Sequence, residues 1–237
     1  MKNALFISVL LSALVFSCEV PTTRLDYYEV HGIDVSHYQS RINWDSIAAQ
    51  GVHFAFVKAT EGETLADSLY CRNWAEMQRV DLLRGAYHFY RPTVPAERPA
   101  RNFMNSVALD YGDLPPVLDV EVLDGVSKVE LINGVKTWLF LAEIHYNVKP
   151  ILYSNLKFYN KYLAGHFDEY PLWIARYSFR EPTLACGSDW LFWQYGNRGR
   201  LAGIRGNVDF NVFNGSLPEL EMLCVTAPPV LSGIEHR

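Results

Sequence analysis

The stretch LPPVLDVEV, residues 114–122, hangs two carboxylates, Asp119 and Glu121, on an otherwise apolar run that reads as a buried strand. Side chains two residues apart on a strand share a face. Asp119 and Glu121 therefore point together, and Leu118, Val120 and Val122 point the other way. Two acids side by side in apolar surroundings repel each other, and at least one is driven to keep its proton. One donor and one anion then coexist at the same pH, which is what paired acid–base chemistry requires.

Around this stretch, short β-like runs alternate with helical ones. Val, Ile, Phe, Tyr and Trp enrichment predicts strands at 32–35, 54–59, 84–89, 116–122, 150–154, 172–176 and 190–194, with a late hairpin at 205–212. Apolar spacing predicts helices at 44–50, 68–80, 96–110, 128–146 and 156–164. Ser127 followed by Glu130 forms a capping-box signature ahead of the longest helix. Repeated β–α alternation calls for parallel strands with helical crossovers. Strands near the C-terminus follow one another with little helix between them. The expected fold is a single α/β domain, an irregular TIM-like barrel, parallel first and partly antiparallel at the end.

In such barrels the site lies at the C-terminal ends of the strands. Polar and aromatic side chains recur at those positions: Asp34, Lys58 and Glu61, His88 and Tyr90, Asp119 and Glu121, Tyr153, Trp173 and Arg176, then Trp193, Gln194 and Tyr195, with Asp209 in the hairpin. Their repetition points to one crowded cleft.

The 237 residues, 49% of them hydrophobic, suffice for one large core, and no repeat or Gly/Ser linker divides them. The formal charge of −5 excludes the basic stripe of a nucleic-acid binder. Lys2 and the apolar run 4–16 read as a signal peptide covering 1–17, too short to span a membrane comfortably. Val15-Phe16-Ser17-Cys18 resembles a lipobox, with Phe16 a loose fit. Cys18 is thus expected to carry lipid, with 18–30 a tether, 31–223 the barrel and 224–237 a short Pro-containing tail. The envelope of a bacterium is the expected location, periplasmic or surface-facing, with the lipid as the membrane contact and the domain a monomer. Of the other cysteines, Cys186 and Cys224 are candidates for a disulfide, and buried free thiols are the equal alternative to it for Cys71, Cys186 and Cys224. No Cys/His spacing suggests a metal.

Eight motifs in order, GIDVSHYQ (32–39), FVKATEG (56–62), GAYHFY (85–90), DVE (119–121), ILYS (151–154), LWIARY (172–177), FWQY (192–195) and VDFN (208–211), resemble family 25 glycoside hydrolases. The resemblance runs from about residue 31 to 213. It implies a (β/α)5(β)3 barrel, no cofactor or metal, and hydrolysis of the β-1,4 bond from N-acetylmuramic acid to N-acetylglucosamine in peptidoglycan glycan strands. It places the active-site acids on Asp34, Asp119, Glu121 and Asp209.

Glu121 is the candidate proton donor, its pKa expected to be raised by Asp119 and by low solvent access. Residues two apart on a strand lie about 6.6 Å apart along the backbone, whereas a retaining pair needs about 5–5.5 Å between carboxyls. Asp119 is therefore not read simply as a covalent nucleophile. A 2-acetamido group can itself attack C1, with Asp119 or Asp209 orienting it; an inverting course is the alternative. Asp34 is expected to order the floor of the site. Lys58 shares a face with Phe54 and Phe56, and a buried lysine needs a carboxylate, expected to be one of the four acids. Tyr87, Tyr90, Tyr153, Trp173, Trp193 and Tyr195 include candidate sugar-stacking surfaces, each equally readable as core. His88 reads as a core histidine rather than a base. Gln194 and Arg176 are candidate contacts to acetamido or lactyl groups, and Glu61 is a further candidate at the cleft. A catalytically silent peptidoglycan-binding relative and a hydrolase of another acetamido-sugar polymer, such as chitin, are the competing readings.

Overall fold

A computed structural model describes residues 24–226. The expected signal peptide 1–17, the candidate lipid site Cys18 and the tail beyond 226 lie outside the described residues. The strands are β1 Val30–Val35, β2 Phe54–Glu61, β3 Leu65–Ala66, β4 Leu83–Phe89, β5 Val117–Asp119, β6 Ile151–Asn155, β7 Leu172–Ala175, β8 Phe192–Gly199 and β9 Val208–Phe213. The helices are α1 Trp44–Ala48, α2 Tyr70–Arg79, α3 Glu97–Ser106, α4 Lys128–Tyr146, α5 Leu156–Phe158 and α6 Leu217–Leu223.

The sheet order β1-β9-β8-β7-β6-β5-β4-β2 closes on itself through the β1–β2 pairing, with β3 a two-residue extension against β2. From β1 through β8 the barrel neighbours in chain order run parallel, and β9 is antiparallel to both β8 and β1. Helices follow the first five barrel strands and none separates the last three. This is the (β/α)5(β)3 arrangement.

The floor of the barrel is packed with rings, among them Phe54, Phe56, Trp173 and Phe192. Two inward positions must stay bare to admit them: a Cβ on Gly32 would overlap the Phe54 ring, and one on Gly85 the Phe56 ring. The glycine that opens the first motif is therefore a packing requirement. A second apolar layer, including Trp44, Phe103 and Trp138, lies between strands and helices.

Helix α4 occupies its expected span, with Ser127 and Glu130 exchanging capping hydrogen bonds and Asn147 ending it in the left-handed region at φ 53°. The expected helix 156–164 is instead α5 followed by a π-helical turn, Tyr159–Leu163. Helix α6 was not foreseen, although Ser216 and Glu219 form its capping box. The expected tether is fixed to the barrel over its last part. Leu25 is buried, and Tyr28 packs edge-on to Trp190 and Trp193 and donates to Glu181 Oε1 at 2.7 Å. That segment lies on strands that lack a covering helix. The expected tail likewise begins inside the fold, with Cys224 and Val225 buried and the Val225 N–H donating to the Asp113 carbonyl at 2.8 Å. Cys71, Cys186 and Cys224 are all free thiols, the first two exposed, so the Cys186–Cys224 disulfide is not formed.

Candidate active site

Antiparallel register sets Asp34 of β1 directly opposite Asp209 of β9. Cross-strand partners project to the same face, and here that face is the wall of a cleft of about 370 Å³ that also takes in Asp119, Glu121, Lys58, Glu61 and Gln194. Asp34 Oδ2 accepts from Gln194 Nε2 and from Asn211 Nδ2, both at 2.8 Å. Each amide is oriented by a ring on its other side. Trp173 Nε1 donates to Asn211 Oδ1 at 2.8 Å, and the Tyr153 hydroxyl donates to Gln194 Oε1 at 2.9 Å. Burial pushes the Asp34 carboxyl up to about 6, against the pull of these two amide donors. Asp209 is raised as well, first by burial and then by the neighbouring Asp34 and Glu121.

The second acid pair differs from the expectation in one respect. β5 stops at Asp119, so Glu121 stands beyond the strand rather than on it. The Val120 N–H donates to the Tyr153 carbonyl at 2.9 Å, which keeps the chain beside β6 past the strand end. The two carboxyls still meet. Both line the same cleft, and the neighbouring Glu121 carboxyl disfavours ionisation of Asp119. Asp119, 6% exposed, is the more buried of the two, and Glu121 is half-buried. Burial, then Glu121 and Asp34, hold the Asp119 carboxyl well above the usual carboxylate range, and Lys58 opposes them. Asn155 Nδ2 donates to Glu121 Oε2 at 3.1 Å and fixes the half-buried acid.

Lys58 does face into the barrel, but its ion pair is with Glu61, at 2.7 Å, and not with any of the four acids. A register shift between Lys58 and Thr60 in the β2–β4 pairing accompanies this close approach of a side chain three residues on.

Of the aromatic candidates, Tyr87, Tyr153 and Trp173 line the cleft. Tyr90, Trp193 and Tyr195 do not, and are buried in the outer layer. Gln194 points inward, so its neighbours Trp193 and Tyr195 must point out; the Tyr90 hydroxyl abuts Gly134 of α4. His88 is a core residue as expected, stacked on Trp138 and hydrogen-bonded through Nδ1 to Thr60 at 2.7 Å, with burial lowering its pKa to about 3. Arg176 lies outside this cleft, in a groove beyond Glu121. Residues not singled out include Tyr38, 78% exposed, and Tyr177, 40% exposed, both on the cleft rim. They follow strand ends within the motifs, so the strand-end rule reaches them. Asn211 lies two residues from Asp209 and shares its inward face. Asn155 closes β6. Among the described residues no group of three or more His, Cys, Asp or Glu has the geometry to hold a metal ion.

A closed barrel with paired carboxyls at its mouth, one of them buried and held above the usual carboxylate range, defines a glycosidase-type site. The family model described as glycosyl hydrolases family 25 matches residues 33–204. The chain is 46% identical over 211 residues to the uncharacterized protein YegX of Escherichia coli (strain K12), covering 87% of this chain and 76% of that one. It is 33% identical over 209 residues to Lysozyme M1 of Streptomyces globisporus, covering 81% and 70%. The structure of a family 25 glycosyl hydrolase from Bacillus anthracis superposes with a TM-score of 0.80 at 32% identity, covering 85% of this chain and 96% of that one. The chain belongs to glycosyl hydrolase family 25. It is a glycoside hydrolase of the lysozyme type.

Proposed function

We propose that the protein is a muramidase that cleaves the β-1,4 bond from N-acetylmuramic acid to N-acetylglucosamine in peptidoglycan, with retention and with help from the substrate's own acetamido group. The Asp119–Glu121 pair carries this reading, because a buried carboxyl that resists ionisation stands beside a more accessible acid at the mouth of the cleft. Asp119 is the more buried of the two and Glu121 the more accessible. Passing the Asp119 proton to Glu121 arms the group nearer the substrate and leaves Asp119 as the anion. Lys58 favours that anion.

In the first step the acetamido carbonyl oxygen bonds to C1, the C1–oxygen glycosidic bond breaks, and the Glu121 proton moves to the leaving oxygen. Asp119 accepts the amide N–H and stabilises the positive charge that spreads over the cyclic intermediate. In the second step water bonds to C1, its proton returns to Glu121, and the ring opens. Asp34, held in place by Gln194 and Asn211, adds negative field on the same wall, and the raised Asp209 carboxyl opposite it favours the protonated form. The exposed ring of Tyr38 and the ring of Tyr177 supply flat surface for flanking sugars.

Purified peptidoglycan digested with the parent and with Glu121→Gln tests the assignment. Muropeptides with N-acetylmuramic acid at the reducing end are expected from the parent and not from the variant. Equal release by both overturns the role of Glu121, and release from chitin oligomers alone overturns the substrate. Proton NMR of the first-formed anomer checks the course: β is expected, and α rules out retention.

The reading extends to location. A lipid on Cys18 would leave at most about 20 Å of chain before the packed segment that begins near Arg24. The catalytic domain would then work close to a membrane surface. Palmitate labelling that is lost in Cys18→Ser is the expected result.

A further inference from the structure

The balance of charged side chains differs on the far side of Glu121. The cleft itself is lined by five acids (Asp34, Glu61, Asp119, Glu121 and Asp209) and two cations, Lys58 and Arg91. Both cations face acids, Lys58 at 2.7 Å from Glu61 and Arg91 at 3.1 Å from Asp124. A second groove, of about 450 Å³, starts at Glu121 and runs over Leu156 and Ala175 to the Tyr177 ring. Glu121 is its one acid, and Lys157 and Arg176 are its cations. Neither cation makes an ion pair among the described residues. Arg176 Nη1 donates to the Glu181 carbonyl at 2.5 Å, which fixes the guanidinium without neutralising it. Asn155 joins groove to acid: its Oδ1 caps the turn that carries Lys157, and its Nδ2 holds Glu121.

A glycan laid across Glu121 therefore meets cations without an acid partner on one side only. A carboxylate on the chain is drawn to the groove, whose two cations make no ion pair among the described residues, and not to the cleft, whose two cations are already paired with acids. Plain acetamido-sugar polymers carry no such group, whereas the lactyl-linked peptides of peptidoglycan do. We infer that the Lys157–Arg176 groove binds a carboxylate of the peptide attached to the muramyl lactyl group, so that the enzyme recognises peptide-bearing glycan through this groove and plain sugar through the cleft. This inference rests on the muramidase reading and adds the part of the substrate that the acids do not explain.

The test uses soluble peptide-bearing glycan fragments and the same fragments with their carboxylates converted to neutral methylamides. For the parent, KM is expected to be about three- to tenfold lower on the native fragments, the scale of one or two partly exposed charge contacts, with kcat alike on both. Raising the ionic strength should shrink that preference. Lys157→Glu is expected to raise KM on native fragments by a similar factor and to leave the methylamides unaffected; Lys157→Arg should behave as the parent. Lys157 is exposed, so these variants keep the fold. Equal parent kinetics on the two substrates overturns the inference, as does a Lys157→Glu loss that is the same on both. A parent that cleaves neither substrate overturns the muramidase reading itself.

Discussion

The two acid pairs of the cleft are assembled by different devices. Asp119 and Glu121 are neighbours along the chain, two residues apart at the end of β5. Asp34 and Asp209 are 175 residues apart and meet only because β9 runs antiparallel to β1 in a register that sets them opposite each other. Their surroundings differ as well. Asp119 is opposed by a carboxyl and helped by the charge of Lys58, whereas Asp34 sits in a closed chain of neutral donors, Trp173 to Asn211 and Tyr153 to Gln194. The first pair has a buried carboxyl that resists ionisation and an accessible acid beside it. The second is rigidly held in the wall. The difference assigns proton transfer to the sequence-adjacent pair and field and positioning to the cross-strand pair.

The sharpest way to break that division is substitution of one acid from each pair. Glu121→Gln removes the donor and is expected to lower kcat by about 10²–10⁴-fold with little change in KM, measured as muropeptide release. Asp119→Asn should cost about 10²-fold, the scale of losing one charge-stabilising group. Asp209→Asn should cost less than either. A ranking in which Asp209→Asn is the most damaging reverses the assignment of the pairs.

The supports of the second pair give the next effect. Asn211→Ala leaves the Trp173 indole without its acceptor and Asp34 with a single amide donor. Orphaning a buried donor costs about 1–3 kcal/mol. The expected outcome is a thermal midpoint lower by about 2–4 °C per kcal/mol for a domain of this size, read by calorimetry. An unchanged midpoint would mean that the donor chain does not hold Asp34.

The same contrast governs how much of the site the sequence discloses. The spacing of Asp119 and Glu121 is local, so the pair is visible in nine residues, and the α4 capping box is visible for the same reason. The barrel class follows from β–α alternation, which is also local. What depends on the phase of a strand against its neighbours is hidden. Trp193 and Tyr195 stand outside the cleft and Gln194 inside because of where β8 enters the sheet, which composition does not encode. The Lys58–Glu61 pair depends on a register shift in the β2–β4 pairing, and the attachment of Leu25 and Tyr28 depends on three strands having no helix to cover them. The cross-strand partnership of Asp34 with Asp209, and the Asn211 amide beside it, belong to the same hidden class. The family resemblance supplied the acids but not their pairing.

The smallest expected effect isolates the electrostatic strain of the cross-strand pair. Burial and Asp34 raise the Asp209 carboxyl to about 8, above the unfolded value of about 3.9. Between those values the folded protein binds more protons than the unfolded chain, so stability is fullest below about pH 4 and declines as pH rises toward 8. Asp209→Asn removes that decline. It is expected to raise the thermal midpoint at pH 8, by an amount on the order of 1–2 kcal/mol in stability, and to leave the midpoint at pH 4 unchanged. A substitution that weakens the enzyme would then strengthen the fold at the pH where the carboxylate is ionised. Midpoints of parent and variant that run parallel from pH 4 to pH 8 would show that the pair stores no such repulsion, and the wall would be a scaffold without a field.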